Sequence, residues 1–123
     1  MVEFALVFLL LFTVVAMIAE GGILFGAWLG ATNGAREGAR YGAPCLNRPV
    51  DTCTEPTVAA VAQSRTNGFP GDFAIPTVVV SDGSVTVTVE GTVSSVAPML
   101  GDITVSGVST MRLENQPTPT PTP

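Results

Sequence analysis

The 123 residues contain no lysine and no histidine, and only two cysteines. Without histidine or lysine the usual general bases and amine nucleophiles are missing. Two cysteines with no further cysteine or histidine do not complete a tetrahedral zinc site. The carboxylates show no catalytic pairing, so an enzyme is not expected and no cofactor or metal is expected. The five basic residues, all arginines, form no cluster. That argues against nucleic acid as a partner, since phosphate binding needs grouped positive charge. Proline is absent before Pro44, so no helix breaker interrupts the first third of the chain. Charge is also scarce, at 12% of residues, and residues 4–19 have none.

What fills these gaps is apolar, and it is unevenly spread. The chain is 46% hydrophobic with a mean hydropathy of +0.47. The run FALVFLLLFTVVAMIA is followed by Glu20 and then by GGILFGAWLGA, ending at Ala31. A bilayer crossing needs about 20 mostly apolar residues, which this window exceeds. We read one helix from about Val2 to Ala43, ended by Pro44. From Pro44 onward the chain is polar, β-branched and rich in proline and glycine, and it carries most of the net charge of −5. Three parts are expected: a hydrophobic helix over 1–43, a small β-rich head over 44–115, and an extended Thr/Pro tail over 116–123.

Within the head, residues 44–54 read as a loop holding Cys45 and Cys53. A close, isolated pair in a threonine-rich, lysine-free head reads as a local disulfide made in an oxidising compartment. Two free thiols in a reducing cell are the alternative. A short helix is expected at 55–66, with Pro56 in its first turn and Asn67-Gly68 as its stop. Strands follow at Thr77–Ser81 and Ser84–Val96, joined by Asp82-Gly83, a two-residue hairpin signal. Val85, Val87 and Val89 alternate with Thr86, Thr88 and Glu90, giving one buried and one wet face. After a turn at 97–101, a third strand covers about 102–113. The fold class is α+β: a three-stranded antiparallel meander covered by the C-terminal half of the long helix. The tail, QPTPTPTP, favours an extended polyproline rod. Thr118, Thr120 and Thr122 are candidate O-glycosylation sites; an unmodified spacer is the equal alternative.

Gly22, Gly26, Gly30, Gly34, Gly38 and Gly42 recur at strict four-residue spacing. Ala27, Ala31, Ala35, Ala39 and Ala43 run beside them. Each interior glycine costs a helix about 1 kcal/mol relative to alanine, so close packing must offset the loss. A four-residue ridge also drifts by about 40° per step. No single straight partner follows it, whereas several neighbours, each meeting a different stretch, do. The reading is a bundle of identical helices; a simple membrane dimer using two or three glycines is the alternative.

The charges in this helix are few. Glu3, at the helix start, is favoured by the macrodipole and in a membrane needs a partner. A neighbouring subunit's α-amino group is one candidate and the headgroup region the other. Glu20 either reaches water at the outer interface or meets an arginine of another subunit, such as Arg36 or Arg40. Glu37 and Arg40 are spaced to pair along the helix. Counting positive charge near the span would place the head in the cytoplasm. The cysteine pair, the tail and the missing lysines place it outside. A basic leader removed before this form would reconcile them.

MVEFALVFLLLF followed by ATNGAREGARYGAP resembles the TadE-like pilins of tight-adherence systems, within the wider type IV pilin group. The matching features are Val2–Leu6, the apolar run, the acidic Glu20 and the stretch Asn33–Tyr41. The later strands resemble the family more weakly. Gly21-Gly22-Ile23 replaces the aromatic-Gly-basic stretch that usually follows the acidic residue. The resemblance implies an inner-membrane precursor cut by a prepilin peptidase, then added to a filament by a dedicated assembly machinery. It also implies that Glu3 pairs with the N-terminal amine of an adjacent subunit. The expected function is therefore a structural subunit of an extracellular filament for surface attachment, a homopolymer, with a major role favoured by the repeated ridge. A minor, assembly-initiating pilin and a single-pass anchored surface protein are the alternatives. The spacing of Phe4, Phe8 and Phe12 reads as packing and not as an electron path.

Overall fold

A computed structural model describes residues 1–47, 53–95 and 101–114. Helix α1 runs without interruption over Val2–Cys45. It continues two residues past the expected end because Pro44 sits in the last turn, where only one backbone bond is forfeited. The Leu46 amide closes that turn on the Gly42 carbonyl at 2.9 Å. A disulfide joins Cys45 to Cys53, with Cα atoms 5.7 Å apart. It fixes the end of α1 to the start of α2 (Glu55–Ser64). Thr54 precedes α2 in an extended conformation and Pro56 lies in its first turn, where a missing amide hydrogen costs nothing. Arg65 and Thr66, expected in the helix, form its closing turn instead.

The head is an antiparallel sheet of four strands: β1 (Asp72–Phe73), β2 (Thr77–Ser81), β3 (Ser84–Ser94) and β4 (Asp102–Arg112). Asp82 and Gly83 both take positive φ, 51° and 69°, as the two-residue hairpin between β2 and β3 requires. β3 is central. β4 pairs with it along its whole length, so β1 and β2 share its other edge. β1 is absent from the three-stranded expectation. It is too short to show a period, and it exists because the Phe73 ring lies over Gly91, directly opposite in register. A β-carbon on Gly91 would stand 2.7 Å from that ring.

The alternation in β3 sets the core. Val85, Val87, Val89 and Val93 are buried against α1, and Thr86, Thr88 and Glu90 face away. The Ala27–Ala43 stripe of α1 is buried with them, together with Val58 and Ala62 of α2. Burial of small side chains reflects how near the backbones come. A β-carbon on Gly107 of β4 would lie 2.5 Å from the backbone of Ala31 and Thr32. One on Gly38 would lie 2.7 Å from Ala62.

These contacts change the partner of the glycine ridge. The sequence reading gives Gly22–Gly42 to other copies of the helix. In the structure the ridge from Gly26 onward is filled by the chain's own head. Gly26 faces Pro70, Gly30 faces Phe69, Gly34 faces Ala62 and Thr66, Gly38 faces Ala62 and Val87, and Gly42 faces Val58 and Val85. The drift of the ridge is the physical reason. Successive steps point in different directions, and a turn, a short helix and a twisted strand meet them in sequence. Of the ridge glycines, only Gly22 has no neighbour within 4 Å among the described residues.

The expected tail with Thr118, Thr120 and Thr122, most of the turn at 97–101 and the middle of the 44–54 loop lie outside the described residues. Replacing Gly107 by valine should cost about 1–3 kcal/mol through overpacking. In the full chain in detergent, thermal unfolding followed by circular dichroism should shift down by several degrees. Gly22→Leu in the same assay should leave the midpoint unchanged.

Candidate assembly surface

The head buries α1 from about Ala27 to Ala43 and reaches back as far as Glu20. The remaining stretch, Val2 to Phe25, projects from the base of the head, and its large apolar side chains up to Ile18 are exposed while Ile23 and Leu24 are half-buried. Its most apolar window has a mean hydropathy of 2.7, none of it buried, and it is long and apolar enough to cross a membrane. Between Phe4 and Ala19 no face of this helix is polar. The one hydroxyl there, on Thr13, donates back to the Leu9 carbonyl at 2.8 Å and so presents no unmet donor. A helix apolar on every side requires apolar surroundings on every side. Phe4, Phe8 and Phe12 stack along one line, with ring centroids 6.3 and 6.4 Å apart.

Glu3 lies exposed in the first turn beside the free backbone amides of the helix start. No hydrogen bond or ion pair reaches it from the described residues, so its carboxylate is open to a group from outside the chain. Glu20 stands about 25 Å further along the axis, a little less than the ~30 Å of a bilayer core. It is half-buried and accepts a hydrogen bond from the Ser95 hydroxyl at the end of β3. The sequence reading considered water or an arginine of another subunit for Glu20, and not this within-chain partner. Ser95 was missed, although a signal was available. It occupies the inward phase of the Val85–Val93 alternation, where a polar residue needs a polar partner.

Arg36 and Arg40 are exposed on the side of α1 that borders α2. The Arg40 guanidinium is 3.9 Å from the Glu37 carboxylate, an exposed pair contributing a few tenths of a kcal/mol. Arg65, just past the end of α2, borders the same seam. A cavity of about 460 Å³ lies between Glu37, Arg40, Tyr41, Pro44, Cys45, Val61 and Arg65. A second, of about 520 Å³, is lined by Asn33, Arg36, Glu37, Arg65 and Phe69. Three arginines and one glutamate thus border one shallow groove in a chain whose net charge is −5. Arg65 was not singled out from the sequence; its position one turn after the buried Ala62 carries it to the seam. Among the described residues no three His, Cys, Asp or Glu side chains gather to hold a metal ion.

The structure therefore separates α1 into a sheathed half and a bare half, with the Glu20–Ser95 bond at the junction. Ser95→Ala should remove about 1 kcal/mol of local stability, roughly a fivefold change in opening. Hydrogen exchange at the end of β3, where the Ser95 amide bonds to the Gly101 carbonyl, should accelerate by about that factor, while exchange in Val85–Val89 stays unchanged.

No curated protein and no solved structure matches the chain. A family model does, over residues 1–40, and its description is TadE-like protein. The matched stretch contains the apolar spike, the Glu20 junction and the Arg36–Arg40 seam, and it ends within the sheathed half of α1. Over residues 1–40, from its apolar tip to Arg40, the helix is similar to the TadE-like protein family.

Proposed function

We propose that this chain is a pilin-like structural subunit of an extracellular filament used for surface attachment. It starts as a single-pass inner-membrane protein and becomes part of a helical homopolymer. The observation that carries the proposal is the bare spike from Phe4 to Ala19, apolar all round and exposed, on a helix whose other half is locked into a folded head. Lipid meets the requirement of such a spike before assembly, and identical spikes meet it afterwards. The family match over residues 1–40 supports a role in a pilus system.

In this reading Glu3 pairs with the N-terminal amine of an adjacent copy. The spike otherwise offers no charge before Glu20, so a carboxylate carried into a helical bundle needs that amine to offset its desolvation. Processing by a prepilin peptidase and transfer by an assembly machinery follow from the same reading. The arginine-bordered groove beside Arg36 and Arg40 is a further surface for contacts between copies. The glycine ridge no longer argues for a repeated subunit, since the head occupies it. The spike does, because its uniform apolar circumference suits contact with several equal neighbours.

Electron microscopy of sheared cell-surface material tests the proposal. Thin filaments in which this chain is the most abundant protein are expected. Recovery at a few copies per filament would indicate the initiating role, and recovery only from membranes would favour an anchored surface protein. Glu3→Gln should leave membrane insertion intact and reduce filament yield at least tenfold.

A further inference from the structure

Among the described residues nothing pairs with either outer edge of the head sheet. Among the described residues no backbone hydrogen bond reaches the outer side of β2 or of β4. Exposed edges in natural proteins are defended by lysine, proline, bulges or inward charge. Neither Thr77–Ser81 nor Asp102–Arg112 contains lysine or proline, and the charges of β4 stand only at its two ends. The β2 segment, TVVVS, has no charge at all. Two undefended edges on one small sheet are a hazard unless something covers them in the working state.

The outward face of the sheet identifies what covers them. Its strands present mainly threonine and serine, with Thr86 and Thr110 sharing a hydrogen bond of 2.9 Å. The large apolar strand residues on that face, among those described, are Val79 on β2 and Val108 on β4, 51% and 59% exposed. One lies on each edge. β2 and β4 are both antiparallel to β3, so they run in the same direction. Placing β2 of one copy beside β4 of the next would continue the sheet as a parallel pair. It would also keep both α1 helices on the same face and pointing the same way, as copies drawn from one membrane must. Such a contact joins two different surfaces, so it propagates along an open chain of copies instead of closing on itself.

We infer that the heads join edge to edge in the filament, β2 of one copy pairing with β4 of the next, with Val79 set against Val108. This rests on the filament reading above. The register follows from the sheet. Val79 lies opposite Thr86, which faces Thr110, and Val108 lies opposite Thr88, which faces Thr77. Bringing the two valines side by side requires a slide of two residues, about 7 Å along the strand, which preserves the inward and outward faces.

Cysteine cross-linking in filaments of the full chain tests this. A chain carrying both Val79→Cys and Val108→Cys should give a ladder of covalent multimers on non-reducing gels after mild oxidation, because neighbouring parallel strands bring Cα atoms within disulfide range. Each single substitution should give monomer. Filaments that form without a ladder would overturn the edge pairing and leave the filament reading intact. Covalent dimers from Val108→Cys alone would also overturn it, since they would place β4 against β4. No filaments from the parent chain would overturn both. Val108→Lys is the second arm: filament yield should fall at least tenfold with the thermal midpoint of the head unchanged, and unchanged yield would contradict the inference.

Discussion

The rest of the structure depends on the close backbone approach between α1 and the head. Glycine and alanine at four-residue spacing bring α1 against α2, β3 and β4 with almost no side-chain volume between them. Gly107 shows how tight this is, since even a methyl group there would press on the main chain of Ala31 and Thr32. The core volume is therefore supplied mainly by β3, whose buried valines are the largest fully buried side chains together with Val58. Interiors packed at this density tolerate little added volume. A head built this way grips half of a long helix and leaves the other half entirely bare.

That division gives the helix two solvents. The sheathed half, from about Ala27, belongs to the folded domain and carries its arginines outward beside α2. The bare half is apolar on all sides, so it requires apolar surroundings from outside the head, which the proposed function supplies as lipid and as other spikes. Glu20 marks the boundary. Its bond to Ser95 ties the last turn of the spike to the far end of the central strand, so the head cannot ride up the helix without breaking it. At the opposite end, the Cys45–Cys53 disulfide and the Glu114 amide on the Ala43 carbonyl hold the top of α1. The head is thus fixed at both ends of the segment it covers.

Much of this was legible from residue pattern. The absence of proline before Pro44 and the unbroken apolar run gave α1 to within two residues. The alternation of valine and threonine gave β3 and its buried face, and Asp82-Gly83 gave the hairpin. Two things were not legible, for different reasons. β1 has two residues and no period; it is recruited by the bare surface over Gly91. The partner of the glycine ridge was misread because a stripe of small residues says how near a neighbour comes, and not which neighbour it is. The drift of the stripe did signal several partners meeting successive steps. They are Pro70, Phe69, Ala62 and the valines of β3, all from the same chain. For the assembly surface, Glu3 and the arginines were visible as unusual charges. Ser95 was signalled by its inward phase in the valine alternation but was overlooked, and Arg65 became visible only when the short helix was placed.

The central claim is that the ridge belongs to the head and only the spike is left for other copies. A side-chain-resolution density map of the assembled filament tests it most directly. The account predicts helix–helix contacts between copies confined to Val2–Phe25, with Gly26 to Gly42 still beneath the head of their own chain. A map in which those glycines pack against the helix of a neighbouring copy, with the head displaced from them, would contradict it.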